Sequence, residues 1–510
     1  MKRDRRGLSL VAALALFSGA GACDSAESTD AGGVGASGPS ASGTGAGAPS
    51  TSSAGTGNTG GGTSTTGAGM MYPPGPPGCG LDAAAFCDTF DAPASSGGRA
   101  GELDPSRWSA ARMCNIGGPT VDDEAVAVGM ATVVGCRADV PGQVSVDHDT
   151  LVCDGNEHIQ SNHLVTAVAA QNYGQNSYRV RQPFDFAGRT GTIMFDADGY
   201  NEALLGWVSL EVTEDPAPAP SFTLQQNWEN GAIPRNGIEI QFHHSCGGSN
   251  VGIGDILVYD DYAQSQVLSM SEACVPTTKG RLNHFEVRLS ESHVEVYATP
   301  YSEDGVEFAA PVLLGEADIS LPFSRGYVHF TAHNHATIKY SPNHEMDAWV
   351  AAWDNLGFDG PAVVGATREY EAGNALTTTA SGKTNVAYRV ADEATGPSDV
   401  ISIPGVDLTG ATGAKLALET WYLHFAGAPP ETDYALNYRL NGGAWKARKL
   451  TASEIQMMTT LPNAGTRSLT LDVALSDLVP GTNTVEFTTT NASQGYPPIV
   501  SNIDLILATP

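Results

Sequence analysis

Three polar side chains in one short stretch carry the most legible chemistry of this sequence. Gly237-Ile238-Glu239-Ile240-Gln241-Phe242-His243-His244 alternates apolar and polar residues. As a strand it places Ile238, Ile240 and Phe242 on one side and Glu239, Gln241 and His243 on the other. The second row offers a carboxylate, an amide and an imidazole, groups that hydrogen-bond the hydroxyls of a ligand. Cleaving a glycosidic bond needs two carboxyls, one as acid and one as nucleophile or base. Glu239 is the one catalytic candidate in the row, so the row reads as a binding surface.

Other side chains extend that surface. His329, His333 and His335 recur at period two and share one face of a second strand. A His-x-His pair chelates zinc in some proteins, but hydrogen bonding to neighbours or ligand hydroxyls is the simpler role. Trp228, beside Asn227 and Glu229 in a loop before the key strand, is the candidate platform for stacking a sugar ring. Glu239, Gln241, His243, Trp228, His333 and His335 make up the expected ligand-binding set. Trp445 after Gly442-Gly443, and Tyr496 in a Gly-Tyr-Pro-Pro loop, are two further aromatics expected at loop tips.

The elements that hold these residues must be strands. The chain has 510 residues, with 59 Gly, 30 Pro and 16% charged residues, which suits turn-rich β domains. Its net charge is -30, from 26 basic and 56 acidic residues. That balance argues against a nucleic-acid partner, which needs clustered Lys and Arg. It is compatible with calcium, an ion bound by carboxylate and carbonyl oxygens.

The N-terminus reads as a targeting segment. Lys2, Arg3, Arg5 and Arg6 precede a short apolar run from Leu8 to Phe17, and Ala20-Gly21-Ala22-Cys23 follows. This resembles a bacterial lipoprotein signal, which implies lipidation of Cys23 and anchoring to the cell envelope. Ala20 departs from the Leu more usual there. Residues 24–75 are dominated by Gly, Ser, Thr and Ala and read as a disordered tether, since they have almost nothing to bury.

Seven cysteines remain, all between Cys79 and Cys274. Export permits disulfides, and an odd number leaves at least one thiol over. Cys246 and Cys274, each bordering a loop beside a strand, are expected to pair.

From Cys79 onward, strand signals accumulate. Asn283-His284-Phe285-Glu286-Val287-Arg288-Leu289 and His293-Val294-Glu295-Val296-Tyr297 read as a hairpin about Ser290-Glu291-Ser292, with Phe285, Val287, Leu289, Val294 and Val296 facing the core. This hairpin, with the earlier Leu103-Asp104-Pro105-Ser106-Arg107-Trp108, resembles concanavalin A-like lectin and glucanase sandwiches, laminin-G-like domains included. The resemblance covers about residues 80 to 361 and implies an antiparallel jelly roll. In family 16 glucanases of this fold one strand carries Glu-x-Asp-x-Glu. Laid over it, this chain reads Gly237, Glu239, Gln241. Both outer acids are missing, and Gln neither donates a proton as an acid nor attacks as a carboxylate. Related sandwiches also imply a structural calcium, for which Asp88 and Asp354, with Asp359, are the candidates.

A boundary falls between residues 361 and 367. Beyond it, Arg368-Glu369-Tyr370-Glu371-Ala372-Gly373 opens and Ser501-Asn502-Ile503-Asp504-Leu505-Ile506-Leu507 closes a second set of strands. The bracket resembles galactose-binding-like carbohydrate-binding modules. It implies pairing of the first and last strands and a calcium near Glu371 and Asp504. Gly373 departs from the acidic residue often found there.

The sequence therefore predicts an all-β protein: two antiparallel β-sandwich domains after a disordered tether. The expected division is a signal at 1–23, a tether at 24–75, a concanavalin A-like sandwich at 76–361 and a galactose-binding-like sandwich at 366–510. The expected function is non-catalytic binding of a polysaccharide or glycan by a lipid-anchored envelope protein, touching the membrane through its anchor only. The alternatives are a glycoside hydrolase or polysaccharide lyase, and an adhesion protein with a protein partner.

Overall fold

A computed structural model describes residues 78–90, 103–113, 120–122, 131–134, 163–169, 175–198, 206–216, 233–243, 250–271, 273–276, 282–300, 309–334, 348–362, 367–372, 383–385, 387–389, 400–421, 435–454, 467–489 and 499–509. The architecture is all-β, as the alternation requires. The N-terminal half builds two large antiparallel sheets.

The first sheet runs, edge to edge, Ala263–Ser269, Asn250–Asp260, Gly237–His243, Gly206–Thr213, Arg325–Asn334, Gln175–Val180, Trp108–Met113. The second runs Val312–Asp318, His293–Thr299, Asn283–Leu289, Gly191–Asp198, Ala348–Asp359, His163–Ala169, Ala131–Val134, with Ala84–Asp88 also paired to Ala348–Asp359.

Alternation decides which way each strand faces. Ile238, Ile240 and Phe242 bury against the second sheet, as predicted. Val208, Leu210 and Val212 do the same from the neighbouring strand, and Val328, Phe330 and Ala332 from the next. The predicted hairpin forms: Val287 opposes Val296 and Leu289 opposes Val294, with Ser290 N donating to His293 O at 2.9 Å. An aromatic group fills the space between the sheets. Phe195 has Phe242, Phe285, Phe330 and Trp353 within 5.1 to 6.1 Å, centroid to centroid.

The C-terminal part stacks two smaller sheets. One orders Thr367–Glu371, Ile499–Ala508, Gly413–Trp421, Arg467–Val473, with Ala387–Arg389 also on Ile499–Ala508. The other orders Ile401–Val406, Gly481–Thr489, Ala435–Leu440, Lys446–Lys449. Leu416, Leu418, Leu469, Leu471, Leu505 and Phe487 lie in their shared core. The first and last strands pair, and Glu371 stands opposite Asp504.

The five-stranded sheet of this C-terminal sandwich lies against the polar face of the first sheet. Arg179 forks onto Glu369, with Nη1 to Oε1 at 2.9 Å and Nη2 to Oε2 at 2.7 Å. Ser109 Oγ donates to Asp504 Oδ2 at 3.3 Å. At the opposite edge Tyr262 OH donates to Ser468 O, Ser468 N donates to Ile233 O, and Ser453 Oγ donates to Asp261. A two-stranded sheet pairs Thr120–Asp122 with Lys383–Asn385. Four sheets thus stack face to face, and the row on Gly237–His243 lies at the middle junction.

Cys79 and Cys87 form a disulfide that the spacing alone did not assign. Cys274 is disulfide-bonded. Its expected partner Cys246, the lipidation candidate Cys23 and the tether lie outside the described residues.

Candidate functional site

The face opposite the core of the first sheet is built by the alternate residues of five strands. Glu239 and Gln241 come from Gly237–His243; Ser209, Glu211 and Thr213 from Gly206–Thr213; His329 and Thr331 from Arg325–Asn334. Ser177 and Arg179 come from Gln175–Val180, and Ser109 from Trp108–Met113.

The expectation that Glu239 and Gln241 line an open groove is corrected here. Both are 0% exposed, and contacts to the C-terminal sandwich flank them at Arg179 and at Tyr262. Gln241 Nε2 donates to Glu239 Oε1 at 2.9 Å, and Tyr259 OH donates to Glu239 Oε2 at 3.0 Å. His243 and His333 stand on the expected strands, but their side chains are outside the described residues, as are Trp228 and His335 altogether.

A second carboxyl joins Glu239. Glu211 stands directly opposite it on the neighbouring strand, and such cross-strand pairs hold their Cβ atoms about 4.5–5.5 Å apart. Glu211 is also 0% exposed and hydrogen-bonds Thr331 Oγ1 through Oε2 at 2.9 Å. Burial, and then the charge of Glu239, push the Glu211 carboxyl well above the usual carboxylate range. Two buried acids side by side cannot both ionise at ordinary cost, so Glu211 keeps its proton. The signal for Glu211 was in the sequence: Val208, Leu210 and Val212 alternate with Ser209, Glu211 and Thr213 just as the opening row does.

His329 stands beside Glu211 on the other flank, fully buried, its Nε2 2.8 Å from Thr213 Oγ1. Burial and the neighbouring Arg179 charge hold the imidazole well below its ordinary range, so it is neutral. Burial alone would raise Glu369. The Arg179 and Arg181 charges overcome it and keep the carboxyl below its usual value.

These shifts have opposite consequences for pH. A raised Glu211 favours the folded chain while protonated; that stabilisation is complete below about pH 4.5 and is lost as pH rises through the folded value. Glu211→Gln keeps an acceptor for Thr331 and cannot ionise. It is therefore expected to flatten the decline of stability above pH 5 and to gain about 1–3 kcal/mol on the parent by pH 8. Thermal unfolding of both chains from pH 5 to 8 reads this out, and parallel curves would contradict it.

Most of the carboxylates expected to hold calcium meet protein donors. Asp88 is occupied by protein donors: Trp108 Nε1 at 2.8 Å, Phe90 N at 3.1 Å and Arg107 Nη1 at 3.2 Å. Asp359 faces Arg189 and Thr192 N. Asp354 receives Asn355 N and stands opposite Asp196. Asp504 turns to Ser109. Among the described residues the group spaced to hold a cation is His293, Glu295 and Glu316, on adjacent strands of the second sheet.

Among the described residues Trp445 is the exposed large aromatic. It is 42% accessible and follows a turn that needs positive φ at Asn441 (50°) and Gly442 (66°). Arg439 lies over one ring face, its Cζ 4.5 Å from the centroid, and Glu486 holds that guanidinium with two bonds of 2.9 and 2.7 Å. Asn441 fixes the turn through Asp477 O, Asn483 Oδ1 and Thr484 N. The indole is thus a partly open platform on a rigid mount. Trp108 and Trp353 are core residues.

No family model matches this chain, and no curated protein matches it. Three solved structures illustrate what it is similar to. LamAcat from Zobellia galactanivorans is 11% identical, covering 54% of this chain and 97% of that one, with a TM-score of 0.29. A β-1,3-glucanase from Mycobacterium marinum is 13% identical, covering 54% and 98%, with a TM-score of 0.26. The VIP36 exoplasmic/lumenal domain, in its Ca2+/Man3GlcNAc-bound form, is 13% identical, covering 39% and 80%, with a TM-score of 0.23. Likenesses of this degree fix neither a site nor an activity for this chain.

Proposed function

We propose that the protein is an exported, lipid-anchored envelope protein that recognises a polysaccharide without cleaving it. The observation that carries this reading is Trp445, an exposed indole backed by Arg439 and set on a fixed turn. A pyranose ring presents an apolar face that stacks on such a platform, while Arg439, Glu486 and Lys446 offer polar groups around its rim. The sealing of Glu239 and Gln241 supports the non-catalytic part, since neither reaches solvent. The anchor rests on Cys23 and the residues before it, and the tether of residues 24–75 would let the head stand off from the membrane.

Trp445→Ala is expected to weaken polysaccharide binding about 30-fold, since an aromatic anchor contributes roughly 2 kcal/mol and 1.4 kcal/mol is tenfold. Affinity electrophoresis against a panel of polysaccharides measures it. Equal retardation of both chains in every gel would overturn the reading.

A hydrolase is the second reading, and Glu211 opposite Glu239 is the observation that favours it. Assaying new reducing ends on the same panel separates the two: none are expected from the intact chain.

A further inference from the structure

The outer face of the second sheet carries a group of side chains that the polysaccharide reading does not use. Phe285, Val287, Val294 and Val296 point into the core, so alternation turns Glu286, Arg288, His293, Glu295 and Tyr297 outward. The next strand, Val312–Asp318, ends the sheet at its edge. Its Glu316 stands directly opposite Glu295, and its Asp318 directly opposite His293. Two carboxylates facing each other across a strand pair destabilise it. His293 and Glu295 are half-buried and Glu316 is exposed, so the group is open to solvent.

His293 Nε2 lies 3.9 Å from Glu295 Oε1 and 3.9 Å from Glu316 Oε2. Those gaps are too wide for hydrogen bonds. Ligand atoms about 2.0–2.2 Å from a tetrahedral zinc stand roughly 3.3–3.6 Å from one another. The three atoms lie within 4.8 Å of one another, so they surround a space of about one ion's size. Neighbours outside the three hold them in this attitude. His293 Nδ1 donates to Asp318 Oδ1 at 2.9 Å, which leaves Nε2 of the neutral ring as an acceptor. His293 N donates to Ser290 Oγ at 3.0 Å and fixes the backbone there. Tyr297 OH donates to Glu295 Oε2 at 3.1 Å, leaving Oε1 toward His293. Arg288 Nε bonds Glu286 Oε1 at 2.6 Å, its Cζ lies 4.6 Å from the Tyr297 ring centroid, and its Nη1 reaches Glu295 Oε2 at 3.6 Å. That guanidinium therefore meets Glu295 through the oxygen that does not face His293.

We propose that His293, Glu295 and Glu316 form a zinc-class transition-metal site that fastens the edge strand Val312–Asp318 to its neighbour. Asp318 positions the imidazole, and water completes the coordination. An imidazole with two carboxylates is a donor set for zinc, whereas calcium takes six to eight oxygens. An ion between Glu295 and Glu316 replaces a repulsion with a bridge. It also steadies a strand that has a partner on one side only among the described residues. The inference rests on this geometry and is independent of the Trp445 reading.

The test uses the full chain, stripped with a chelator and titrated calorimetrically with zinc chloride. The chain has 12 His, so zinc taken up elsewhere is separated by comparing variants. His293→Asn is expected to lose one equivalent of zinc. Glu316→Gln is expected to weaken that equivalent at least tenfold. Asp318→Asn leaves all three ligands in place and is expected to weaken it about tenfold, through the ring it positions. Zinc is also expected to slow hydrogen exchange at the amides of Val312–Asp318 in the parent chain and not in Glu316→Gln.

Equal zinc uptake and affinity in the parent and in Glu316→Gln overturns the site. Zinc bound with no slowing of exchange at the edge strand overturns the fastening. Millimolar calcium that displaces the zinc overturns the choice of ion. Should His293→Asn lose its fold by circular dichroism, Glu316→Gln, changed at an exposed side chain, decides alone. Failure of polysaccharide binding at Trp445 leaves every one of these outcomes as it is.

Discussion

Arg179→Ala is expected to destabilise the folded chain by about 3–5 kcal/mol, the cost of leaving a buried charge without its partner. Arg179 and Glu369 are both buried, and the guanidinium makes two bonds to the carboxylate. Its charge also holds Glu369 ionised and adds to the burial that keeps His329 neutral. Removing it leaves buried Glu369 with Arg181 alone, at 3.5 Å and without the two parallel bonds. The loss has two routes: a lower midpoint for the whole chain, or an early step in which the C-terminal sandwich comes away. Urea unfolding followed by tryptophan fluorescence and by scattering distinguishes them. Arg179→Lys keeps the charge and loses the fork, so it is expected to recover part of the loss. A cost below about 1 kcal/mol for Arg179→Ala would place the pair among exposed ion pairs and contradict its burial.

Phe195→Ala is expected to cost a similar 3–5 kcal/mol, by a different mechanism. Phe195 stacks on Phe285 at 5.1 Å and meets Phe242, Phe330 and Trp353 edge-on or tilted. The truncation opens a cavity between the two large sheets, and strands fixed on both sides cannot collapse into it. The effect belongs to the first sandwich alone. Its urea midpoint should fall while Trp445 keeps its affinity for polysaccharide. Loss of binding together with stability would mean that the platform depends on the first core, although Trp445 stands on the other sandwich.

What was legible in the sequence was local. Ile238, Ile240 and Phe242 against Glu239 and Gln241 follow from a period of two, and so does the hairpin from Asn283 to Thr299. Asn441-Gly442-Gly443 announced a turn, and the exposed Trp445 followed from it. Glu211 was equally legible, because its strand alternates in the same way, yet a single acid among Ser and Thr carries no signal until a neighbour stands across from it. The burial of that row was not legible. Alternation shows that one face is polar; it does not show whether water or another sheet lies against it. Arg179 and Glu369 are 190 positions apart, and no local pattern joins them. Asp88 shows the same limit. Its type suited calcium, while its environment, with Trp108 Nε1 and Arg107 beside it, made it an acceptor for protein donors.

The central claim is that the protein recognises polysaccharide through Trp445 and not through Glu239 and Gln241. Calorimetric titration of one polysaccharide into the intact chain, the Trp445→Ala chain and the Gln241→Ala chain tests it most directly. Gln241→Ala is expected to bind with the affinity of the intact chain, and Trp445→Ala to weaken it about 30-fold. Binding that Gln241→Ala abolishes and Trp445→Ala leaves intact would contradict the account, and would return recognition to the row on which Glu239 stands.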